Sequence, residues 1–168
     1  SGVKVMLRDE FQRVALASQP EAMSAPGEPH DTAIQLFTSG TTGKPKAAVL
    51  RHQNLMSYVL GTVEFGGAAE EDAILIAVPP YHIAGISAVL SSTYSCRRMV
   101  QLPNFDAATW LQLCRDEKVT NAFVVPTMLS RIVDHLQQER GAGSVPSLRA
   151  VAYGGGKMPL AVIEQAMR

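Results

Sequence analysis

Ala73-Ile74-Leu75-Ile76-Ala77-Val78 is a run of six apolar residues closed by Pro79-Pro80. A strand with one wet face alternates apolar and polar residues. An unbroken apolar run this short predicts a strand covered on both faces, the habit of parallel sheets. Arg98 to Leu102, Asn121 to Val125 and Arg149 to Tyr153 are further short strand candidates. The segments between them carry a helical period. Asp106 is placed to cap a helix whose Ala107, Trp110, Leu111 and Cys114 share one face. Thr127, just after Pro126, is the candidate cap of a second helix burying Leu129, Ile132, Val133 and Leu136. Pro159 suits the first turn of a third, carrying Leu160, Ile163 and Met167. Strands alternating with helices predict right-handed βαβ units, hence an α/β fold: a layered, mostly parallel sheet with flanking helices.

Upstream, Thr32 to Phe37 reads as a strand and Ala47 to Leu50 as its hairpin partner or continuation. The bridge between them is Thr38-Ser39-Gly40-Thr41-Thr42-Gly43-Lys44-Pro45-Lys46. It holds two glycines, four hydroxyl side chains and two lysines, with no acidic residue. Glycine lets bare N–H groups face an anion, hydroxyls add donors, and lysines add charge suited to polyphosphate. A plain flexible connector is the bland alternative, and Pro45 between the two lysines argues against it. The Walker spacing is absent, because only Thr41 and Thr42 separate Gly40 from Gly43 and Pro45 follows Lys44. Gly-x-Gly-x-x-Gly is absent as well.

What the loop resembles is the signature of the adenylate-forming (ANL) superfamily: acyl-CoA synthetases and other AMP-dependent synthetases and ligases, luciferases, and peptide-synthetase adenylation domains. The family pattern is Thr-Ser-Gly-Thr-Thr-Gly-x-Pro-Lys-Gly followed by His-x-Asn-Leu, and His52-Gln53-Asn54-Leu55 stands in that place here. Ala47 departs from the usual glycine, and Arg51 from the usual Ser or Thr. Pro79-Pro80-Tyr81-His82-Ile83-Ala84-Gly85 is similar to the family's Pro-Leu-Phe-His-x-x-Gly segment beside the acyl pocket. Tyr153-Gly154-Gly155-Gly156-Lys157-Met158-Pro159 is similar to its Gly-Gly-Ala-Pro-Leu-Pro turn against adenine and acyl group, with Gly156 and Lys157 replacing Ala and Pro. The resemblance spans residues 31–168, a partial core running from phosphate loop to glycine turn. Residues 1–30 read as an N-terminal segment with an exposed connector from Pro20 to Pro29, and 3–17 as a weak strand-then-helix pattern.

The resemblance implies ATP-phosphate contacts at Thr38, Ser39, Gly40, Thr41, Thr42, Gly43, Lys44 and Lys46. It implies an acyl and adenine pocket at Tyr81, His82, Gly85, Gly154, Gly155 and Gly156. It implies ATP, Mg²⁺ and coenzyme A as cofactors and co-substrates, with Thr41 and Thr42 as candidate metal-side hydroxyls. The expected activity is activation of a fatty or aryl carboxylic acid as acyl-AMP, then transfer to coenzyme A. Amino-acid-activating members carry Phe-Asp where Tyr81-His82 stand here, so an acid without an α-amino group is expected. The family's adenine and metal-binding Tyr-Gly-x-Thr-Glu segment, its ribose-binding Asp and its C-terminal catalytic Lys do not occur in these residues. The 168 residues alone are therefore expected to be part of the large N-terminal domain and not to turn over. The competing readings are a non-catalytic nucleotide-binding module, an interaction domain without ligand, and an amino-acid adenylation domain.

Composition excludes other classes. Fifteen basic residues balance fifteen acidic ones, with no electrostatic footprint for nucleic acid or anionic membrane. Apolar residues at 46% and charged ones at 18% are ordinary for a globular domain, and 168 residues suffice for one core. Cys96 and Cys114 lack metal or disulfide spacing and read as small core residues. No long apolar span appears, so a reducing cytoplasm is expected, with no integral membrane segment. Bland readings hold for His52 (a helix-start residue), Trp110 (core), and His30 and His135 (surface). His82 is divided between a hydrogen-bonded wall and a gate beside the acyl group.

Overall fold

A computed structural model describes residues 7–18, 27–38, 46–138 and 144–167. In chain order these form α1 (Arg8–Ala17), β1 (Thr32–Thr38), β2 (Lys46–Arg51), α2 (His52–Thr62), β3 (Ala73–Ile76) and α3 (Ile83–Tyr94). They continue as β4 (Arg98–Gln101), α4 (Ala107–Asp116), β5 (Asn121–Val124), α5 (Pro126–Gln138), β6 (Ala150–Tyr153) and α6 (Leu160–Ala166). Strands β3 to β6 make a parallel sheet in the order β4-β3-β5-β6, while β1 and β2 pair antiparallel as a separate hairpin. The expected layered α/β fold is present.

The apolar run at β3 shows why. All four strand residues are buried, and Ala77 and Val78 with them. Leu75 and Ala77 join one core with Trp110, Leu111 and Cys114 of α4 and Leu129, Ile132 and Val133 of α5. Ile74, Ile76 and Val78 point to the other face, where Ala88 of α3 and Phe123 of β5 pack. Period-two alternation into two apolar layers leaves no polar position for the strand to fill.

Helix signals were read with uneven success. Asp106 caps α4 as expected: Oδ2 accepts from the Thr109 N–H at 2.9 Å and lies 2.8 Å from its hydroxyl. That pairing, the backbone N–H first, holds the Asp106 carboxyl below the usual carboxylate range. Thr127 is not a cap, because α5 already begins at Pro126, whose fixed φ suits a first helical position. Pro159 is the cap residue of α6 rather than part of its first turn, and Leu160 and Met167 are exposed, not core. Helix α3 covers residues that sequence reading treated only as pocket wall. Its run Ile83 to Leu90 is almost wholly apolar and shows little amphipathic contrast. Cys96 is also corrected: it is exposed, in a left-handed turn with φ 59°, whereas Cys114 is buried.

Helix α2 opens on His52, the helix-start position expected of it. Its first amides are satisfied from upstream: His52 N–H donates to the Asp31 carbonyl (3.2 Å) and Gln53 N–H to that of Pro29 (3.0 Å). Asn54 Oδ1 accepts from the Arg51 N–H at 3.0 Å, and the Arg51 guanidinium donates to the His30 carbonyl. An Arg at this place thus braces the entry to β1, a span that Ser or Thr does not reach. No helix among the described residues is long and apolar enough to cross a membrane.

Candidate functional site

Parallel pairing puts the carboxyl ends of β3, β5 and β6 on one edge. Three short exits leave there: residues 77–82 from β3, Val125-Pro126 from β5 and Gly154 to Gly156 from β6. Ligands of open α/β sheets gather at such an edge. Two of the three motif segments, Tyr81-His82-Gly85 and the triple glycine, are brought to it.

Each is shaped by a local constraint. The Pro79-Pro80 step is tight, with His82 N–H donating to the Pro79 carbonyl at 3.1 Å, and α3 begins on the following residue. Gly85 lies in that first helical turn, and a Cβ there would sit 2.4 Å from the Pro79 oxygen. Only glycine lets the helix rest on the loop backbone. Tyr81 and His82 are exposed on the rim, their rings 4.9 Å apart and tilted by 50°. His82 is the N-cap residue of α3 without a side-chain cap bond, and its imidazole is exposed. At the second segment, Gly155 has φ +82°, a conformation that favours glycine. A Cβ on Gly154 would meet the Phe123 ring at 3.1 Å, so the strip lies flat on β5.

The third segment lies apart from that edge: of the two readings of Ala47 to Leu50, hairpin partner of β1 is the one that forms. Ser39, Gly40, Thr41, Thr42, Gly43 and Lys44 lie outside the described residues. The ends of their loop are given: Thr38 closes β1 and pairs opposite Lys46, the first residue of β2. The strands that flank it therefore form the separate antiparallel pair and are not part of the parallel sheet. The pair is tied to the rest through α2, which follows β2 directly and packs on α3.

A cavity of about 270 Å³ lies under this edge, between α3 and the face of β3, β5 and β6. Ile83, Ala84, Phe123 and Ala152 form apolar wall, and Tyr58 of α2 closes a side. Phe123 also underlies Gly154, joining cavity and glycine strip. Sequence reading missed Tyr58, Arg97, Asn121 and Phe123 as lining residues. Phe123 alone had a signal, since it shares with Val125 the β5 face opposite Ala122 and Val124. Mg²⁺ was expected at Thr41 and Thr42, and these lie outside the described residues. Among the described residues no group of three or more His, Cys, Asp or Glu gathers, so they offer the ion no ligand cage.

Residues 3–168 match the family model described as AMP-binding enzyme. The chain belongs to that family. It is 37% identical over 138 residues to a 2-succinylbenzoate–CoA ligase of Bacillus licheniformis, covering 82% of this chain and 28% of that one. Its likeness to the chloroplastic/peroxisomal 2-succinylbenzoate–CoA ligase of Arabidopsis thaliana is 28% over 137 residues, covering 82% and 24%. The chain thus spans about a quarter of the length of these curated relatives. Among solved structures, the inhibitor-bound N-terminal domain of FACL13 from Mycobacterium tuberculosis superposes with a TM-score of 0.79 at 26% identity, covering 95% of this chain and 39% of that chain. ATP-bound MatB from Rhodopseudomonas palustris gives 0.78 at 27%, covering 93% and 30%. These adenylate-forming neighbours agree with the AMP-binding fold and with use of ATP by the family.

Proposed function

We propose that the chain is the phosphate-gripping and acyl-pocket part of an AMP-forming acid–thiol ligase that acts as a longer protein. The observation that carries this reading is the meeting, at one sheet edge of an AMP-binding chain, of His82, the Gly154–Gly156 strip and an apolar cavity. In the reaction a carboxylate oxygen attacks the α-phosphorus of ATP, the bond to the β-phosphate bridging oxygen breaks, and pyrophosphate leaves. The thiol of coenzyme A then attacks the acyl carbon of the adenylate, loses its proton, and releases AMP. Thr38 to Lys46 would hold the departing phosphates through backbone N–H groups, hydroxyls and the lysine charges, a task of positioning and charge stabilisation. Mg²⁺, when bound with ATP, supplies further neutralisation of phosphate charge. Glycines at 154 to 156 leave room for close approach of the adenylate, and His82 forms the rim that the acid passes.

The acid we favour is an aryl one. The relatives named for 2-succinylbenzoate support this over a plain fatty acid, as does a short cavity walled by Tyr58 and Phe123. That acid carries two carboxylates, so formation of one thioester leaves one free. His82 in place of an Asp disfavours an amino acid, because no carboxylate stands at that position for an α-ammonium group. The 168 residues by themselves are proposed to bind ATP without turnover, and the cytoplasm is the proposed compartment. Carboxylate-dependent pyrophosphate release by the full-length protein, compared across aryl, fatty and amino acids, tests the reading. A best response to an aryl acid is expected. Release that no carboxylic acid stimulates, or one strongest with an amino acid, overturns it.

A further inference from the structure

The cavity beneath the crevice edge has a polar end that the reading above does not use. Ile83 and Ala84 in the first turn of α3, with Phe123 and Ala152, line it toward the carboxyl edge of the sheet. Ser91 near the end of α3, Arg97 just before β4, and Asn121 at the start of β5 line it toward the amino edge. From Ala84 to Ser91 is seven helical residues, about 10 Å of rise. No acidic residue lines this cavity, and Arg97 is its one charged lining residue among those described.

Arg97 is half-buried, and its Nε is shut off from solvent without a hydrogen-bond partner. Its neighbours in type are engaged: Arg98 with Glu117 at 2.7 Å, Arg149 with Glu71 and Asp72 at 3.2 and 3.4 Å. Asn121 Oδ1 already accepts from the Thr120 hydroxyl at 2.8 Å, which leaves its amide nitrogen as a donor. A buried donor without acceptor is costly and rare in native structures. A guanidinium fork in a slot of apolar walls fits a planar carboxylate.

We propose that Arg97, assisted by Asn121, is a specificity-determining clamp for a second carboxylate at the far end of the acid whose first carboxylate is activated at the crevice. The inference rests on the acyl-ligase reading of the cavity. Its substrate class is a dicarboxylic acid short enough for a slot of about 10 Å.

The test measures kcat/KM for pyrophosphate release by the full-length protein with 2-succinylbenzoate and with 4-oxo-4-phenylbutanoate, the same skeleton lacking the ring carboxylate. The wild type is expected to favour the diacid at least about tenfold. Arg97→Met is expected to lose roughly 10- to 150-fold on the diacid, the worth of a hydrogen bond to a charged group. On the monoacid the loss should be at least about tenfold smaller, and an unchanged thermal melt reports that the variant is folded. Arg97→Lys should recover part of the selectivity. A wild type indifferent between the two acids, or an R97M loss equal on both, overturns the clamp while leaving the ligase reading intact. A wild type that releases pyrophosphate with neither acid overturns the clamp, and only release that no carboxylic acid stimulates overturns the ligase reading as well.

Discussion

The parallel sheet and the hairpin of this chain obey opposite rules. Strand β3 is buried along its whole length between two apolar layers, and Trp110 beneath it is 2% exposed. Strand β2 has five of six residues exposed, and Phe37 on β1 is 72% exposed. The centre of the sheet, β3 and β5, is held by side-chain burial, while its edge strands β4 and β6 are largely exposed. The hairpin is held by its own backbone ladder and by main-chain bonds from residues 29–31 to the start of α2. The body therefore sets the geometry of the cavity and glycine strip, while β1 and β2 form a weakly packed pair of strands.

Substitutions can break this contrast. Trp110→Ala should cost the most, about 3–5 kcal/mol in urea unfolding of the chain, because a large buried side chain leaves a cavity behind. Gly85→Ala should follow at about 3 kcal/mol, since the new methyl meets a backbone oxygen that cannot move aside. Phe37→Ala is expected to change stability by less than about 0.5 kcal/mol, as exposed positions do. A loss there comparable to that at Trp110 would remove the distinction between the two regions.

The cysteines sharpen the comparison within the body. Burial pushes the Cys114 thiol from 9.0 up to about 12. The unfolded chain then loses that proton from about pH 9 upward, while the folded chain keeps it until about pH 12. The unfolded state binds fewer protons in that window, so stability should fall there by up to about 1.4 kcal/mol per pH unit. Cys114→Ala should flatten that slope, and below pH 9 the thiol should contribute no slope. The smallest effect is chemical: an alkylating reagent at pH 8 should label exposed Cys96 in the native chain and Cys114 only after unfolding. Equal native labelling would contradict the burial on which the core rests.

Much of the parallel body was readable because its signals are local. The run at residues 73–78, the cap at Asp106 and the apolar stripe of α5 each act within one element, and each forms as expected. Helix α3 was missed because its sequence is almost uniformly apolar and has little periodic contrast, although its buried Gly85, Ala88 and Ser92 fall on one face. Cys96 was misplaced because composition carries no information on a left-handed turn.

For the site, residue types and the family resemblance singled out the segments expected to carry chemistry: the Ser, Thr, Gly and Lys loop, the Pro79 to Gly85 turn and the triple glycine. Hydrogen-bonding capacity and conformational freedom belong to the residues themselves, wherever the chain puts them. Only the tertiary structure decided that two of those segments share a sheet edge, that Gly85 is demanded by the Pro79 carbonyl, and that Arg97 and Asn121 meet beside one cavity. Those facts arise from strand order and long-range packing, which bring together residues that nothing in their own neighbourhood along the chain connects.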